Sequence, residues 1–270
     1  MEDNPYVPAR AEVLNVFQEV TDEKNIKTIE FQLMNEARRE TFDFTPGQFV
    51  QVSIEGVSEA PISLNSSPFK ESSFSLCLEK KGRVTQALFE LEEGDTVWIR
   101  GPYGNGFPLE EVKGKHLLFV AGGIGLAPLR SAIEYVYERR DDYREVQIMY
   151  GDKSANCLLF LRHFDKWGEY FDMHTICEEA GEEWTGEEGV VTDLLDKVYI
   201  NPRHGVTFTC GPPIMYKFVI PELTKLGFAD EDIFLSLERR MECGMGKCRR
   251  CNVGEYFVCQ DGPIFSYDEI

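Results

Sequence analysis

The chain has 270 residues, of which 43% are hydrophobic, and a formal net charge of -19. This length suits one large or two modest domains with an appendage, and the negative charge makes nucleic acid and anionic membranes poor partners. The sequence has no apolar signal segment near its start and no apolar run of the roughly 18–20 residues that a membrane span needs. We therefore expect a cytoplasmic protein that does not insert into membranes.

Short alternating apolar and β-branched runs extend from Ala9 to about Gly106. Gly, Pro, Asn and Asp separate these runs, which predicts an antiparallel β-barrel of about six strands. One amphipathic stretch, TQALFELEEG, interrupts the series and predicts a short helix that begins near Thr85.

From His116 onward, strand patterns alternate with helical ones. Such alternation predicts an α/β domain with a doubly wound parallel sheet. Predicted strands are KHLLFVAGG, EVQIMYG, DMHTICEE, GVTFTCGPP and DIFLSLE. Predicted helices are APLRSAIEYVYERR, a segment around CLLFLRHFDKW, VVTDLLDKVY and IMYKFVIPELTKLG.

The last segment, from about Glu238 to Ile270, is too short to have a core of its own. It needs a metal, or docking on the rest of the chain, to be ordered. We therefore predict three parts, at residues 1–110, 111–237 and 238–270.

The first strand-to-helix turn of the second part reads VAGGIGLAPLRS. Gly122, Gly123 and Gly125 remove side chains where a backbone could approach a diphosphate, and the following helix directs its free N–H groups at the anion. The pattern is not G-x-G-x-x-G, so a tight turn that needs glycine only for packing is an equal alternative. Its place after the first parallel strand favours a ligand site.

A second feature of this part is TCGPPIMYK, in which Cys210 ends a predicted core strand. A lone cysteine in such a position is more often a small buried hydrophobic residue than a reactive thiol. The four histidines of the chain are scattered and predict surface or strand-edge positions; they are His116, His163, His174 and His204.

Half of the eight cysteines lie in the last segment, MECGMGKCRRCNVGEYFVCQDG, at Cys243, Cys248, Cys251 and Cys259. Cys-x4-Cys-x2-Cys with a fourth, more distant cysteine is the plant-type [2Fe–2S] spacing. A four-cysteine zinc site is the alternative, but it ordinarily shows two Cys-x2-Cys pairs and this segment has one. The sequence therefore favours these four residues as ligands of a [2Fe–2S] cluster.

Several motifs in chain order carry a family resemblance: GQF, PISLNSSP, KGRVTQAL, GPYGNGFP, AGGIGLAPLRS, CGPPIMYK and LERRMECGMGKCRRC. The chain resembles the ferredoxin–NADP⁺ reductase superfamily from about Pro5 to Tyr267. The cysteine segment is most similar to the gamma subunits of cytosolic nickel–iron sulfhydrogenases. It is also similar to the electron-transfer subunits of anaerobic sulfite reductase and of dihydroorotate dehydrogenase.

The resemblance implies that FAD lies extended between the barrel and the sheet. The family's Arg-x-Tyr-Ser segment reads Ala-Pro-Ile-Ser here, so the cation near the flavin phosphates and the ring on the isoalloxazine are missing. Arg83 is a possible replacement for that cation, and FAD remains favoured over FMN. The implied FAD-binding residues are Ala60, Pro61, Ile62, Ser63, Ser66, Cys77, Leu78, Glu79, Gly82, Arg83, Val84 and Thr85.

The resemblance also implies a site for NAD(P)H. Cys210 would flank the nicotinamide and is the catalytic candidate. Asp152 would repel a 2′-phosphate whereas Lys153 and Ser154 could bind one, so the nucleotide stays open, with NADH slightly favoured. The other implied nucleotide-binding residues are Gly122, Gly123, Ile124, Gly125, Gly211, Pro212 and Met215.

These features together predict an electron-transfer flavoprotein subunit of a cytosolic, hydrogenase-like oxidoreductase complex. It would move electrons between NAD(P)H, FAD and the [2Fe–2S] cluster towards iron–sulfur and catalytic partner subunits. Alternatives are a self-contained NAD(P)H:ferredoxin-type reductase, an electron-transfer subunit of dihydroorotate dehydrogenase or anaerobic sulfite reductase, and a zinc-stapled adaptor without redox cofactors. The direction of electron flow and the terminal acceptor are not encoded in this chain.

Overall fold

The computed structural model describes residues 4–21, 24–70, 72–181 and 184–270. Within these residues, no helix combines the length and the apolar character that crossing a membrane requires.

The chain divides into two compact units. The first comprises Met1–Gly106 with Glu238–Pro263, and the second comprises Phe107–Leu237 with Ile264–Ile270. Each unit thus takes a piece of the C-terminal segment. The three-part boundaries expected from the sequence stay a prediction.

The first unit contains a six-stranded antiparallel sheet in the order β4-β3-β6-β1-β2-β5. Its two edge strands meet, because Leu64 forms an antiparallel bridge with Leu76 and Asn65 N donates to Ser75 O at 3.0 Å. The sheet therefore curls into the predicted antiparallel barrel. The strands are β1 (Ala9–Val20), β2 (Ile26–Leu33), β3 (Phe49–Ile54), β4 (Ser58–Ser63), β5 (Phe74–Glu79) and β6 (Thr96–Tyr103).

Alternation along the strands places the core of this unit. In β3, Val50 and Val52 are fully buried in the hydrophobic core, and Gln51 between them has its side chain on the opposite face of the strand. Two short helices accompany the strands, α1 (Glu36–Glu40) and α2 (Arg83–Phe89). Helix α2 begins two residues earlier than the sequence predicts and packs against β3 and β4.

Among the described residues, the second unit contains a seven-stranded sheet in the order β10-β9-β8-β7-β11-β12-β15, where β15 is the C-terminal strand Ile264–Ser266. The first six strands have parallel neighbours, and β15 is antiparallel to β12. The chain starts at the central β7, builds outward on one side and then crosses to the other, which is the predicted doubly wound pattern. The strands are β7 (His116–Gly122), β8 (Val146–Ser154), β9 (Asp172–Glu179), β10 (Glu187–Glu188), β11 (Gly205–Cys210) and β12 (Ile233–Ser236).

Two of the four helices predicted for this unit differ from the structure. The segment around Cys157–Trp167 forms short 3₁₀ turns and a five-residue helix, α4 (Phe164–Gly168), because Phe160 adopts a left-handed φ of 59° that interrupts a helix. The segment 190–199 is a 3₁₀ helix, Val191–Lys197. The other two predictions are confirmed as α3 (Leu126–Glu138) and α5 (Pro213–Leu226).

The C-terminal segment forms a small hairpin and then a sheet strand. The hairpin consists of β13 (Asn252–Val253) and β14 (Tyr256–Phe257), within the first unit. Asn105 N donates to Gly262 O and Asn105 Nδ2 donates to Asp261 O, so the segment is anchored on the end of β6. The last strand, β15 (Ile264–Ser266), pairs antiparallel with β12 of the second unit, and no clear residue pattern predicts it.

Candidate functional site

The four clustered cysteines differ in exposure. Cys251 and Cys259 are 1% and 2% exposed, Cys243 is half-buried and Cys248 is exposed. Gly244 and Gly246 have φ values of 77° and 74°, which a glycine adopts without a steric penalty. These two glycines let the backbone curl around the thiol groups.

Backbone amides converge on the Cys243 sulfur. The N–H groups of Met245, Lys247 and Cys248 donate to Cys243 Sγ at 3.5, 3.2 and 3.3 Å. Burial alone would raise the pKa of this thiol, but the donated hydrogen bonds from the backbone and from Cys248 lower it to about 7. Hydrogen bonding to the charged form favours the thiolate, which is the metal-binding form.

The two buried cysteines have a different environment. Gly246 N donates to Cys259 Sγ at 3.0 Å, and Cys259 N donates to Cys251 Sγ at 3.4 Å. Burial raises the pKa of Cys259 to about 12 despite the Gly246 amide. A thiol in such a place stays protonated unless a cation binds it.

Three of the four sulfurs, those of Cys243, Cys251 and Cys259, accept hydrogen bonds from backbone amides of the same segment. In the described part of the chain, no group of three or more His, Cys, Asp or Glu side chains converges on one metal ion. The backbone amides that donate to the cysteine sulfurs suit the thiolate ligands of an iron–sulfur cluster.

In the barrel unit, Gly82 precedes helix α2 and forms an open turn. The Thr85 hydroxyl accepts from Lys81 N at 3.0 Å and from Gly82 N at 2.9 Å, so these two amides are occupied within the turn. The first helical hydrogen bond is donated by Gln86 to Gly82 O, which leaves the amides of the first turn, residues 83–85, without a helical partner. Those three amides, beside exposed Arg83, are the ones suited to a phosphate.

The predicted flavin residues lie on β4 and β5 of the same unit. Ala60 and Ile62 are half-exposed and pack against the barrel core, while Pro61 and Ser63 lie on the alternate face of β4. Ser66 is buried and its Oγ accepts from Ser75 N at 3.1 Å, which is a structural role. In β5, Cys77 and Leu78 are buried and Glu79 pairs with Lys81 at 2.7 Å.

In the second unit, the Gly-rich turn connects β7 to α3, and its glycines have different environments. A Cβ on Gly125 would lie 2.5 Å from the Cys210 carbonyl carbon, and one on Gly122 would lie 2.5 Å from Met215 Sδ. Gly123 instead has a φ of 55° and, like Ile124, is half-exposed. Packing explains the first two glycines, whereas Gly123 is left at the surface where a ligand could approach.

The segment after β11 lies beside this turn. Cys210 is buried and pairs with Ala121 of β7, so β7 and β11 end at the same edge of the sheet. These are the two strands between which the strand order of the sheet reverses direction. A Cβ on Gly211 would lie 2.6 Å from Met215 Cε, the flexible end of a side chain, and 3.2 Å from Gly122 N, so this glycine allows the close approach of the two segments. The structure thus brings the predicted nucleotide residues, including Pro212 at the start of α5, to one edge of the sheet.

The residues expected to select NADH or NADPH follow the second strand. Asp152 is 5% exposed, and its carboxylate accepts from Lys153 N at 2.7 Å and from the Tyr150 hydroxyl at 3.4 Å. Lys153 Nζ lies 3.6 Å from a Glu179 carboxylate oxygen. A buried Asp152 does not present its charge to a ligand, so the argument for NADH from this residue loses its support.

One histidine differs from its predicted surface position. His163 is half-buried and stacks on Trp167 with ring centroids 5.5 Å apart, and its Nδ1 lies 3.5 Å from buried Glu134. Burial, together with repulsion from Arg130, lowers the pKa of His163 to about 4. It is a neutral packing residue at physiological pH.

Three domain families match the chain in the order of its parts. Residues 14–107 match the oxidoreductase FAD-binding domain, residues 119–220 the oxidoreductase NAD-binding domain, and residues 238–270 the iron–sulfur cluster binding domain of dihydroorotate dehydrogenase B. The predicted cofactors, FAD, a nicotinamide nucleotide and an iron–sulfur cluster, are confirmed at the level of these domains.

Relatives match over nearly the whole chain. Sulfhydrogenase 1 subunit gamma of Pyrococcus furiosus is 39% identical over 99% of this chain and 94% of its own length. A probable dihydroorotate dehydrogenase B (NAD(+)) electron transfer subunit of Pyrococcus horikoshii is 37% identical over 92% of this chain and 86% of its own.

A solved structure of an NADH-dependent reduced ferredoxin-NADP oxidoreductase has the same fold, with a TM-score of 0.77 and 24% identity over 100% of this chain and 92% of that one. The domains, the relatives and the fold agree with the resemblance that the motifs carry. The chain belongs to the family of FAD- and NAD-binding iron–sulfur subunits that includes the sulfhydrogenase gamma subunits and the electron transfer subunits of dihydroorotate dehydrogenase B.

Proposed function

We propose that this chain is the NAD(P)H-linked electron-transfer subunit of a cytoplasmic, hydrogenase-like complex, and that it moves electrons between NAD(P)H, FAD and a [2Fe–2S] cluster. The observation that carries the proposal is the four-cysteine segment, in which backbone amides donate to the sulfurs of Cys243, Cys251 and Cys259, in a chain that also has FAD- and NAD-binding domains. All eight cysteines are free thiols, which suits the cytoplasm, where disulfides are rare.

The three cofactors make chemical sense together. A nicotinamide exchanges two electrons as hydride, whereas a [2Fe–2S] centre exchanges one at a time. A bound flavin supplies the conversion between two-electron and one-electron transfer. The protein contributes binding, orientation and electrostatics at each site.

On the nucleotide side, the exposed backbone at Gly123 and Ile124 and the N-terminus of α3 would hold the diphosphate. The segments around this turn pack closely because three residues there have no side chain, Gly122, Gly125 and Gly211. Cys210, Pro212 and Met215 would flank the nicotinamide and exclude water from it.

On the flavin side, the amides of Arg83, Val84 and Thr85 would bind the FAD diphosphate, with the Arg83 guanidinium in place of the family's usual cation. Gly82 keeps the approach to them open. The isoalloxazine would lie against β4 and β5, at the residues Ala60, Pro61, Ile62, Ser63, Cys77, Leu78 and Glu79.

The partner would be another protein that accepts single electrons. Cys248 is exposed, and the neighbouring Lys247, Arg249 and Arg250 are exposed cations on a chain of net charge -19. Such a local positive patch suits docking to an acidic surface. Because the matched relatives are named as subunits of sulfhydrogenases and of dihydroorotate dehydrogenase B, the recipient would be an iron–sulfur or catalytic subunit of such an assembly.

The cluster assignment is tested by Cys248→Ala and Cys251→Ala, each of which removes one of the four proposed thiolate ligands. Both variants are expected to lose most iron and labile sulfide while keeping FAD, and NAD(P)H should still bleach the flavin. Cys177→Ala is the matched control, because burial raises the pKa of Cys177 to about 11 and the residue lies in β9. Full iron and sulfide in Cys248→Ala would exclude that residue as a ligand.

A dihydroorotate dehydrogenase-type assembly is the second candidate, because the family that matches residues 238–270 carries that description. Purification from the native host under anaerobic conditions distinguishes the hydrogenase-like assembly from the dihydroorotate dehydrogenase-type assembly. Co-purifying hydrogenase-type chains support the first proposal, and a co-purifying dihydroorotate-oxidising chain supports the second. A free monomer that reduces soluble ferredoxin at full rate would replace both with a self-contained reductase.

A further inference from the structure

One patch of the barrel lies directly beneath the cysteine segment. Gln51 of β3 and Arg100 of β6 are cross-strand partners, so their side chains share one face of the sheet. A Cβ added to Gly244 would lie 3.0 Å from Gln51 Cγ and 3.1 Å from Gln51 Nε2. The segment that follows Cys243 therefore rests on the Gln51 side chain.

Arg100 joins this patch to the first cysteine through the backbone. Its Nη1 and Nη2 atoms donate to the Cys243 carbonyl oxygen at 3.3 and 3.4 Å. The guanidinium is 9% exposed and binds Glu59 through two hydrogen bonds, of 3.2 Å from Nε and 2.5 Å from Nη2. The Arg100 side chain is buried and that of Glu59 is 30% exposed, and their bidentate geometry holds the guanidinium, and with it the carbonyl of Cys243, relative to β4 and β6.

Gln51 is the unusual residue of this patch, because its buried side chain is not hydrogen-bonded to any described residue. Its side chain is fully buried at 0% exposure, yet neither Oε1 nor Nε2 has a hydrogen-bond partner among the described residues. Buried amides in native proteins are almost always paired, and an unpaired one destabilises the fold. An unpaired donor beside Gly244, next to the cysteine that we assign as a ligand, indicates that an acceptor belongs there.

We propose that Gln51 donates an N–H from its carboxamide to a sulfur of the [2Fe–2S] cluster, and that Gln51 and Arg100 together set the reduction potential of the cluster from the barrel side. This inference rests on the proposed function, which assigns the cluster to Cys243, Cys248, Cys251 and Cys259. Hydrogen bonds to the sulfurs, and positive charge near them, stabilise the reduced cluster because it carries one more negative charge. Gln51 would contact the cluster directly, Arg100 acts as a positioning residue through the Cys243 carbonyl, and neither exchanges electrons itself.

The first test is Gln51→Leu in the full-length protein loaded with FAD and cluster. An EPR-monitored redox titration should show a cluster potential lowered by about 59 mV, a tenfold change in the one-electron equilibrium. The flavin potential should stay unchanged. Cluster-free Gln51→Leu should unfold at a higher temperature than the cluster-free wild type, because the substitution removes an unpaired buried amide.

The second test changes the charge beside the cluster in two variants, whose expected effects on the cluster potential have opposite signs. Glu59→Gln removes the negative partner of Arg100 and should raise the cluster potential, whereas Arg100→Gln should lower it. Arg10→Gln is the matched control, since Arg10 is an exposed arginine on neighbouring β1 and the change in net charge is the same. Solvent screening should leave its effect on the potential much smaller.

A direct measurement covers the case in which a variant fails to assemble. With ¹⁵N in the glutamine side chains, hyperfine spectroscopy of the reduced cluster should detect a coupled amide nitrogen that persists in Gln260→Leu, because Gln260 is the other glutamine that lies against the cysteine segment, at Gly246. An absent coupling, an unchanged cluster potential in Gln51→Leu, or a shift of the flavin potential instead would each overturn the inference. If wild-type protein contains no iron and sulfide, the proposed function fails; if it contains both and the potentials do not move, only this inference fails.

Discussion

The two glycine turns that face the expected phosphates have different physical reasons for their glycines. In the barrel unit, a Cβ on Gly82 would meet only Thr85 Oγ1, at 4.0 Å. In the sheet unit, a Cβ on Gly125 would lie 2.5 Å from the Cys210 carbonyl carbon and 2.7 Å from Gly211 N. The first turn is open and the second is packed against the neighbouring strand.

This difference shows how to interpret a glycine-rich turn. In the second turn the packing explanation holds for Gly122 and Gly125, and only Gly123 is both half-exposed and in the left-handed region. A glycine motif therefore combines residues that build the turn with a residue that leaves room for a ligand. Substitutions at each position separate these roles.

The largest effect is expected for Gly125→Ala. The new methyl group would clash with backbone atoms at the end of β11, which cannot move as a side chain would, so unfolding should be easier by about 3 kcal/mol. Chemical denaturation followed by intrinsic fluorescence measures this loss. Gly168→Ala in the same unit is the control, because its Cβ would meet nothing within 4 Å and should change stability by less than about 0.5 kcal/mol. Equal stabilities of the two variants would contradict the packing explanation.

A smaller effect on stability, but a large one on binding, is expected for Gly123→Trp. The left-handed φ of 55° adds about 1–2 kcal/mol of strain for any side chain, and the indole would occupy the surface where the nucleotide diphosphate is proposed to lie. Stopped-flow bleaching of the flavin by NAD(P)H should be lost while FAD stays bound.

Gly123→Ala carries the same backbone strain with a small side chain and serves as its control. It should weaken nucleotide binding less than the tryptophan does. Unchanged bleaching in Gly123→Trp would show that this turn is not the nucleotide site.

Much of the fold could be predicted because its signals are local. Period-two alternation predicted the barrel strands, and strands alternating with helices predicted the parallel sheet. The predictions that were wrong or missing concern elements whose structure depends on one residue or on a strand that is distant in the sequence. Left-handed Phe160 interrupts the helix expected around residues 157–167, and β15 exists only because β12 offers it an edge. Neither effect is visible in a residue pattern.

The same distinction between local signals and tertiary packing applies to the candidate site. Cysteine spacing is a local signal and predicts the cluster segment, whereas the burial of Asp152 and the position of Gln51 depend on tertiary packing. A polar residue between Val50 and Val52 indicates a solvent-facing position, and only the structure shows that the cysteine segment covers it. The roles of the individual flavin and nucleotide residues stay predictions until the variants are measured.

The smallest effect on stability is expected for Gly82→Ala, which tests directly whether the turn in the barrel unit is open whereas the turn in the sheet unit is packed. Gly82 has a φ of -110° and a ψ of 173°, which alanine adopts without strain, and open space surrounds the added methyl group. The free energy of unfolding should therefore change by less than about 0.5 kcal/mol.

FAD binding should nevertheless weaken several-fold in this variant, because the methyl group narrows the approach to the amides of Arg83, Val84 and Thr85. Fluorescence titration of the apoprotein with FAD measures the affinity, and Gly168→Ala in the other unit is the control that should leave it unchanged. Arg83→Gln is a companion variant: it keeps the turn, removes the exposed charge and should weaken FAD binding without altering stability. A Gly82→Ala protein that loses stability but keeps its FAD affinity would mean that both turns use their glycines for packing, and the open turn would then have no role in holding the cofactor.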